Sequence, residues 1–423
     1  MSYKKIELDN GLKIASLAMP DMASVALGIW INAGGRYETE KSSGVSHFLE
    51  HLVFRGTQKR TARQIKESIE GLGGMLNAFT AEEFTCYFVK IPAKHLELSL
   101  DVLSDMVLNA RLDPQDIERE RTVILEEIKM YMDLPMHYVH ELLNQLLWPA
   151  HPLGMFLSGT FETVSQMNRV DIAGYRDRFY QPQNINIIAC GALDPDKLVD
   201  LSRDYFSSTK KGEKTSFKKA GIQQDKVQTN FYYKQTEQTH ISLGLHALAR
   251  EHKDKYALTL LHIILGANMS SRLFQQVREK RGLAYEIGTY VSKFQDTGAF
   301  MVNAGVEHKK AGEAIKVIVE ELGKIKEKPV NRSEFRRAKE YFTGQFLLAL
   351  EDTMDHMLWL GENVAALNKT RTSQQVLREL EKTTIEDLQR LAGSLFNARD
   401  LSLALIGPLG DKEKKAIEKS LVL

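Results

Sequence analysis

Two hydrophobic periods share this chain. Apolar residues recurring every three or four positions read as amphipathic helices, and short alternating or continuous apolar runs read as strands. Residues 1–20 alternate about Asn10-Gly11, which predicts a β-hairpin rather than a signal peptide. Residues 24–32 predict a strand. Val45, Phe48, Leu49, Leu52 and Val53 share one helical stripe, so 43–54 predicts a largely buried helix. Ser42 or Ser43 can cap its start and Gly56 can end it. Thr61 caps a second helix, which stops at Gly71-Leu72-Gly73-Gly74. Residues 75–80 and 83–91 predict two strands about a short polar turn. An amphipathic helix is expected over 94–110. Asp113-Pro114 opens a long helix through about 133, with Pro favoured in the first turn. Pro135 stops it, and another helix runs to about 148. Residues 170–180 read as helix and 184–191 as strand, and Asp194-Pro195 opens a helix ending near 206.

The pattern then breaks. Residues 207–216 are polar, lysine-rich and poor in apolar side chains, as a linker is. Beyond it the first half is echoed. Val25-Ala26-Leu27-Gly28-Ile29-Trp30 matches Ile241-Ser242-Leu243-Gly244-Leu245-His246 in pattern, and the strand at 184–191 matches that at 401–407. The expected architecture is α+β: two homologous domains, each a mostly antiparallel sheet with helices packed on one face. Their bounds are 1–208 and 223–423, joined by a linker at 209–222. The length of 423 residues suits two such domains.

Composition narrows the function. With 43% hydrophobic and 26% charged residues this is an ordinary globular chain. A net charge of +1 offers no field for nucleic acid or a membrane surface. No apolar run approaches the ~20 residues of a membrane helix. Cys86 and Cys190 sit in apolar strand-like runs and read as buried thiols, not a disulfide framework. A cytoplasmic protein is expected.

The chemistry concentrates in His47-Phe48-Leu49-Glu50-His51. Residues four apart on a helix are neighbours, so His47 and His51 stack on one face with Glu50 beside it. Two such imidazoles can hold part of a tetrahedral Zn²⁺ site, and a carboxylate beside them can accept a proton from water. Against this stands a pair of core histidines with a surface Glu. However, three polar groups on an otherwise apolar helix each need a partner. The order is the inverzincin one, the reverse of His-Glu-x-x-His. A third ligand is required. The long helix offers Glu120 and Glu127, two turns apart on one face, with Glu126 rotated about 100° away. The helix at 257–266 in the second half has His262 and no Glu, so His262 reads as a core or helix-end histidine.

With these residues the chain resembles the pitrilysin and insulin-degrading-enzyme family of zinc peptidases. The likeness is strongest to half-length members related to the mitochondrial processing peptidase β subunit, and it runs nearly end to end. In that family a Glu roughly 75 residues beyond the inverted motif completes the metal site. From His51 to Glu127 is 127 − 51 = 76. The resemblance implies one Zn²⁺ per chain held by His47, His51 and Glu127, with Glu50 as general base and Glu120 supporting the ligands. It implies that Asn77, Ala78, Phe79 and Thr80 belong to an edge strand that takes peptide as an added strand. Arg278 and Tyr285 match a family pair implied to contact substrate carbonyls and stabilise the oxyanion; read alone, that block is a charged helix end with Gly282 at its C-cap. Full-length relatives enclose a chamber with four such domains. This chain has two, so the resemblance implies a homodimer that hydrolyses short or unfolded peptides. A non-catalytic peptide-binding or assembly subunit of the same fold is the competing reading.

Overall fold

The computed structural model describes residues 3–209, 212, 215–221 and 224–422. Lys210, Lys211, Glu213, Lys214 and Ile222 of the expected linker lie outside the described residues. The chain forms two compact units, and neither is continuous in sequence. The first comprises Met1–Lys129, Met155–Lys218 and Leu347–Ser373, and the second Met130–Gly154, Lys219–Phe346 and Gln374–Leu423.

In the first unit, β1 (Lys4–Glu7), β2 (Lys13–Ala18), β3 (Ser24–Ile31), β4 (Met75–Thr80), β5 (Thr85–Pro92) and β6 (Ile185–Gly191) form one sheet. Their spatial order is β1-β2-β6-β3-β5-β4. All neighbours are antiparallel except β2 and β6. Strand β5 starts at Thr85 rather than 83, because Glu83 turns into a buried ion pair with Arg36 (2.6 Å) instead of extending the strand. Nearly every residue of β3 and β6 is buried, which is why they read as continuous apolar runs: a strand covered on both faces has no polar side.

The helices α1 (Val45–Val53), α2 (Ala62–Glu70) and α3 (Leu96–Asn109) belong to this unit, and α3 packs on β3 and β5. The helix Thr353–Leu367, from late in the sequence, packs on β3 and β6. Its Met354, Met357, Leu360 and Val364 close over Ala26, Trp30, Cys86 and Phe88. The approach is tight enough to need a glycine, since a Cβ on Gly361 would stand 2.2 Å from the Trp30 ring.

The second unit repeats the plan. Strands β7 (Gln228–Tyr232), β8 (Thr239–Ala247), β9 (Ala284–Lys293), β10 (Gly298–Val306) and β11 (Ser402–Ile406) lie in the order β7-β11-β8-β10-β9. Here β7 and β11 are the parallel pair. The echo read in the sequence falls on matching strands: β8 lies between β11 and β10 as β3 lies between β6 and β5. The long helix is α4 (Pro114–Asp133), and α5 (Pro135–Leu147) packs on β8 and β11 of this second sheet. Thus each sheet receives a helix from the other sequence half. Among the described residues, no helix is long and apolar enough to cross a membrane.

Candidate metal centre

Helix α1 has no Ser cap. Gly44 holds the N-cap position in the left-handed region (φ 90°) and provides no side chain. The free N–H groups of the first turn still need an acceptor. Glu38, from the preceding loop, supplies it: Oε2 accepts from Gly44 N (2.8 Å), and Oε1 from Ser46 N (2.8 Å) and Ser46 Oγ (2.6 Å). Ser42 and Ser43 therefore do not cap this helix. Ser42 bonds within its own turn to Thr39, and Ser43 reaches Phe156 O (3.5 Å). Donor counting at an uncapped Gly44 was the available signal for Glu38.

Glu38 is buried, and burial pushes its carboxyl up from 4.5 to about 7, against the opposing hydrogen bonds from Ser46 and Gly44. A carboxyl raised in the folded state contributes stability that is complete below its ordinary value and is lost as pH rises through about 7. The unfolding free-energy gap between the wild type and Glu38→Ala is therefore expected to shrink by on the order of 3 kcal/mol between about pH 4 and pH 8. Urea melts across that range check it, and a gap that widens with pH refutes it.

From this start the α1 stripe presents His47 and His51, their rings 4.7 Å apart. Glu127 comes across from α4. Its Oε2 lies 3.7 Å from His47 Nε2 and 3.6 Å from His51 Nε2. One atom from each of these three residues lies within 4.8 Å of the others, and among the described residues this is the single such cluster. Zn–N and Zn–O bonds of about 2.0–2.2 Å put tetrahedral ligand atoms roughly 3.4 Å apart, so Glu127 stands within a few tenths of an ångström of ligand spacing from each imidazole, and all three donor atoms lie within 4.8 Å of one another. Burial, with the field of His51, lowers His47 to about 3, which keeps it neutral as a ligand must be.

Glu120, also on α4, is buried and hydrogen-bonds His51 Nδ1 (2.9 Å). That bond leaves Nε2 free to face Glu127. Arg55, just past the end of α1, ion-pairs with Glu120 from the other side. Burial opposes charge on His51, but Glu120, Glu127 and Glu50 together hold it above its ordinary value. By contrast, His47 Nδ1 is buried without a hydrogen-bond partner. Glu126 points away and pairs with Lys129 (2.6 Å).

Glu50 stands outside the ligand set. Its Oε2 accepts the Thr80 hydroxyl at 2.5 Å. Burial raises its carboxyl, the Thr80 bond opposes this, and the fields of His51 and Glu127 act in opposite senses. Strand β4, which carries Thr80, is the sheet edge. Asn77 is exposed, and its Oδ1 accepts the Ala78 N–H (2.8 Å). Phe79 turns its ring the other way, against Trp30 (5.7 Å), Phe84 and Phe88.

Arg278 and Tyr285 belong to the second unit. They sit together, with the guanidinium 5.4 Å from the Tyr285 ring centroid. Tyr285 is 75% exposed. Gly282 between them takes φ +57°, as a C-cap glycine does. His262 hydrogen-bonds Thr289 Oγ1 (2.7 Å), and burial lowers it to about 4. It is a partnered core histidine and no part of the metal cluster.

Sheets crossed by exchanged helices and an inverted His-Glu-His set describe a class of metal-site proteins that comparison then names. Residues 13–160 match the family described as "Insulinase (Peptidase family M16)", and residues 166–342 match "Peptidase M16 inactive domain". The chain is 36% identical over 408 residues to a Bacillus subtilis protein named "Uncharacterized zinc protease YmxG", covering 96% of this chain and 99% of that one. It is 34% identical over 415 residues to an uncharacterized zinc protease of Mycobacterium tuberculosis, covering 97% and 94%. A crystal structure of a Helicobacter pylori protease superposes with a TM-score of 0.91 at 24% identity, covering 96% of this chain and 99% of that chain. A Pseudomonas fluorescens structure described as a peptidase M16 inactive domain gives 0.90 at 17%, covering 97% and 99%. The chain belongs to the insulinase family, peptidase family M16.

Proposed function

We propose that this protein is a zinc metalloendopeptidase acting on short or unfolded peptides. The observation that carries the proposal is the convergence of His47, His51 and Glu127 within 4.8 Å, beside a base that is not a ligand. The relatives' names as zinc proteases agree with it. One ion per chain is proposed. When bound, zinc supplies a Lewis acid for the scissile carbonyl and makes water acidic enough to attack near neutral pH.

The chain's own groups do the rest. Glu50 takes the proton from the attacking water and carries it to the leaving amine, the bond between carbonyl carbon and amide nitrogen breaking as it does so. Glu120 holds His51 in the tautomer that turns Nε2 to the site. The free edge of β4 takes the substrate as an added strand, through backbone bonds that do not depend on its side chains. Asn77 occupies the Ala78 N–H until a peptide replaces it, which also guards the edge against pairing with other chains.

Arg278 and Tyr285 are proposed to bind substrate carbonyls and the oxyanion across a homodimer, the pair of one chain serving the metal site of the other. The test of the whole reading is digestion of a mixed pool of unstructured peptides by the zinc-loaded protein, followed by mass spectrometry. Cleavage that stops with Glu50→Gln supports it; uncut peptides overturn it. For the shared site, inactive Arg278→Ala and Glu50→Gln chains, mixed and allowed to exchange, are expected to recover about a quarter of wild-type activity, because random pairing makes half the dimers mixed and gives each one intact site. No recovery refutes the shared site.

A further inference from the structure

Thr80 does not use its polar groups as the rest of the β4 edge does. Ala81 N donates to Phe84 O (2.9 Å) beside the Thr80–Thr85 pair, which sets the phase of the β4–β5 ladder. In an antiparallel ladder, alternate residues turn their backbone groups toward the partner strand. Phe79 and Asn77 therefore bond inward to β5, and Thr80, Ala78 and Leu76 point their N–H and C=O off the free edge. The side-chain bond from Asn77 to the outward Ala78 N–H agrees with this phase. At Thr80 the hydroxyl donates to the Glu50 carboxylate at 2.5 Å, and the outward N–H lies on the side of the same group. The hydroxyl that holds the carboxylate thus comes from a residue itself held in the ladder opposite Thr85.

A carboxylate at the end of three side-chain torsions needs such a hold. Its terminal torsion is broad, and an unheld base samples positions from which it cannot reach the attacking water. A misplacement of about 1 Å can cost on the order of 100-fold in rate. With Glu50 standing against Thr80, the outward groups of Leu76 and Ala78 are left as the docking edge.

We infer that Thr80 is a positioning residue for the base Glu50, and that it closes the peptide-docking edge of β4 rather than binding substrate itself. This rests on the peptidase reading. The test compares zinc-loaded wild type, Thr80→Val and Thr80→Ser on a quenched fluorescent peptide, with Glu50→Gln as the dead reference and zinc content and thermal melting in parallel. Thr80→Val, which keeps the shape and loses the hydroxyl, is expected to lower kcat about 10- to 100-fold with KM within about twofold and one zinc retained. Thr80→Ser is expected to recover most of that loss.

A raised KM at wild-type kcat would make Thr80 a substrate contact and overturn the inference. Wild-type kcat in Thr80→Val with impairment of Thr80→Ser would make the methyl the working group and overturn it too. Wild-type protein that cuts no better than Glu50→Gln would instead sink the peptidase reading. The crystal structure of Thr80→Val then decides the positioning alone: a displaced Glu50 carboxylate upholds it, and an unmoved one overturns it.

Discussion

Glu50→Gln is expected to lower kcat for peptide cleavage by at least about 10³-fold while the chain still binds one zinc. A positioned general acid–base group contributes typically 10²–10⁴ in rate, and the proposed mechanism uses Glu50 twice, first to accept a proton and then to deliver it. An amide of the same shape does neither. Zinc is expected to be retained because the proposed donor atoms belong to His47, His51 and Glu127. The fold is retained because the Gln carbonyl oxygen can still accept the Thr80 hydroxyl that now sits 2.5 Å from the carboxylate. Steady-state kinetics with metal analysis of the same preparation checks both halves. A variant within tenfold of wild type would remove Glu50 from the chemistry, and one that lost its zinc would make it a ligand.

The candidate metal cluster was legible in the sequence because helical spacing alone places His47 above His51, and a two-turn spacing places Glu120 and Glu127 on one face of α4. Which of the two faces the metal is a matter of approach between helices that periodicity does not hold. The resemblance chose Glu127, and the 3.6 and 3.7 Å distances agree with that choice.

The cap of α1 shows the opposite case. Ser42 and Ser43 are the residue types that cap helices, yet Glu38, six residues before the N-cap, does the work, because the left-handed Gly44 turns the free N–H groups toward that loop. The exchange of α5 and Thr353–Leu367 between the sheets was likewise beyond the pattern. An apolar stripe says that a helix is covered, not which sheet covers it. The pairing is written in shape, as at Gly361 against Trp30 and Gly244 against Leu143. Thr80 was legible as part of an edge strand, but its hydroxyl bond to a residue 30 positions earlier depends on where α1 lies against β4.

The two glutamates of α4 are expected to separate clearly in zinc affinity. Glu127→Gln removes a charged donor from a set of three and leaves His47 and His51 with a weak neutral oxygen. Catalytic zinc sites hold the ion with three protein ligands, so affinity is expected to fall by more than about 100-fold. Glu120→Gln leaves all three donors in place. It exchanges the carboxylate on His51 Nδ1, 2.9 Å away, for an amide that polarises and orients the imidazole less strongly. Loss of such a supporting partner typically costs 10- to 100-fold. Arg55, which ion-pairs with Glu120, loses its counter-charge in the same variant, so Arg55→Ala is expected to move affinity in the same direction and by less. Competition against a chromophoric chelator at fixed pH measures all three. Should Glu120→Gln prove the weaker binder, the ligand assignment passes from Glu127 to Glu120, and the two-turn spacing on α4 will have been read one register wrong.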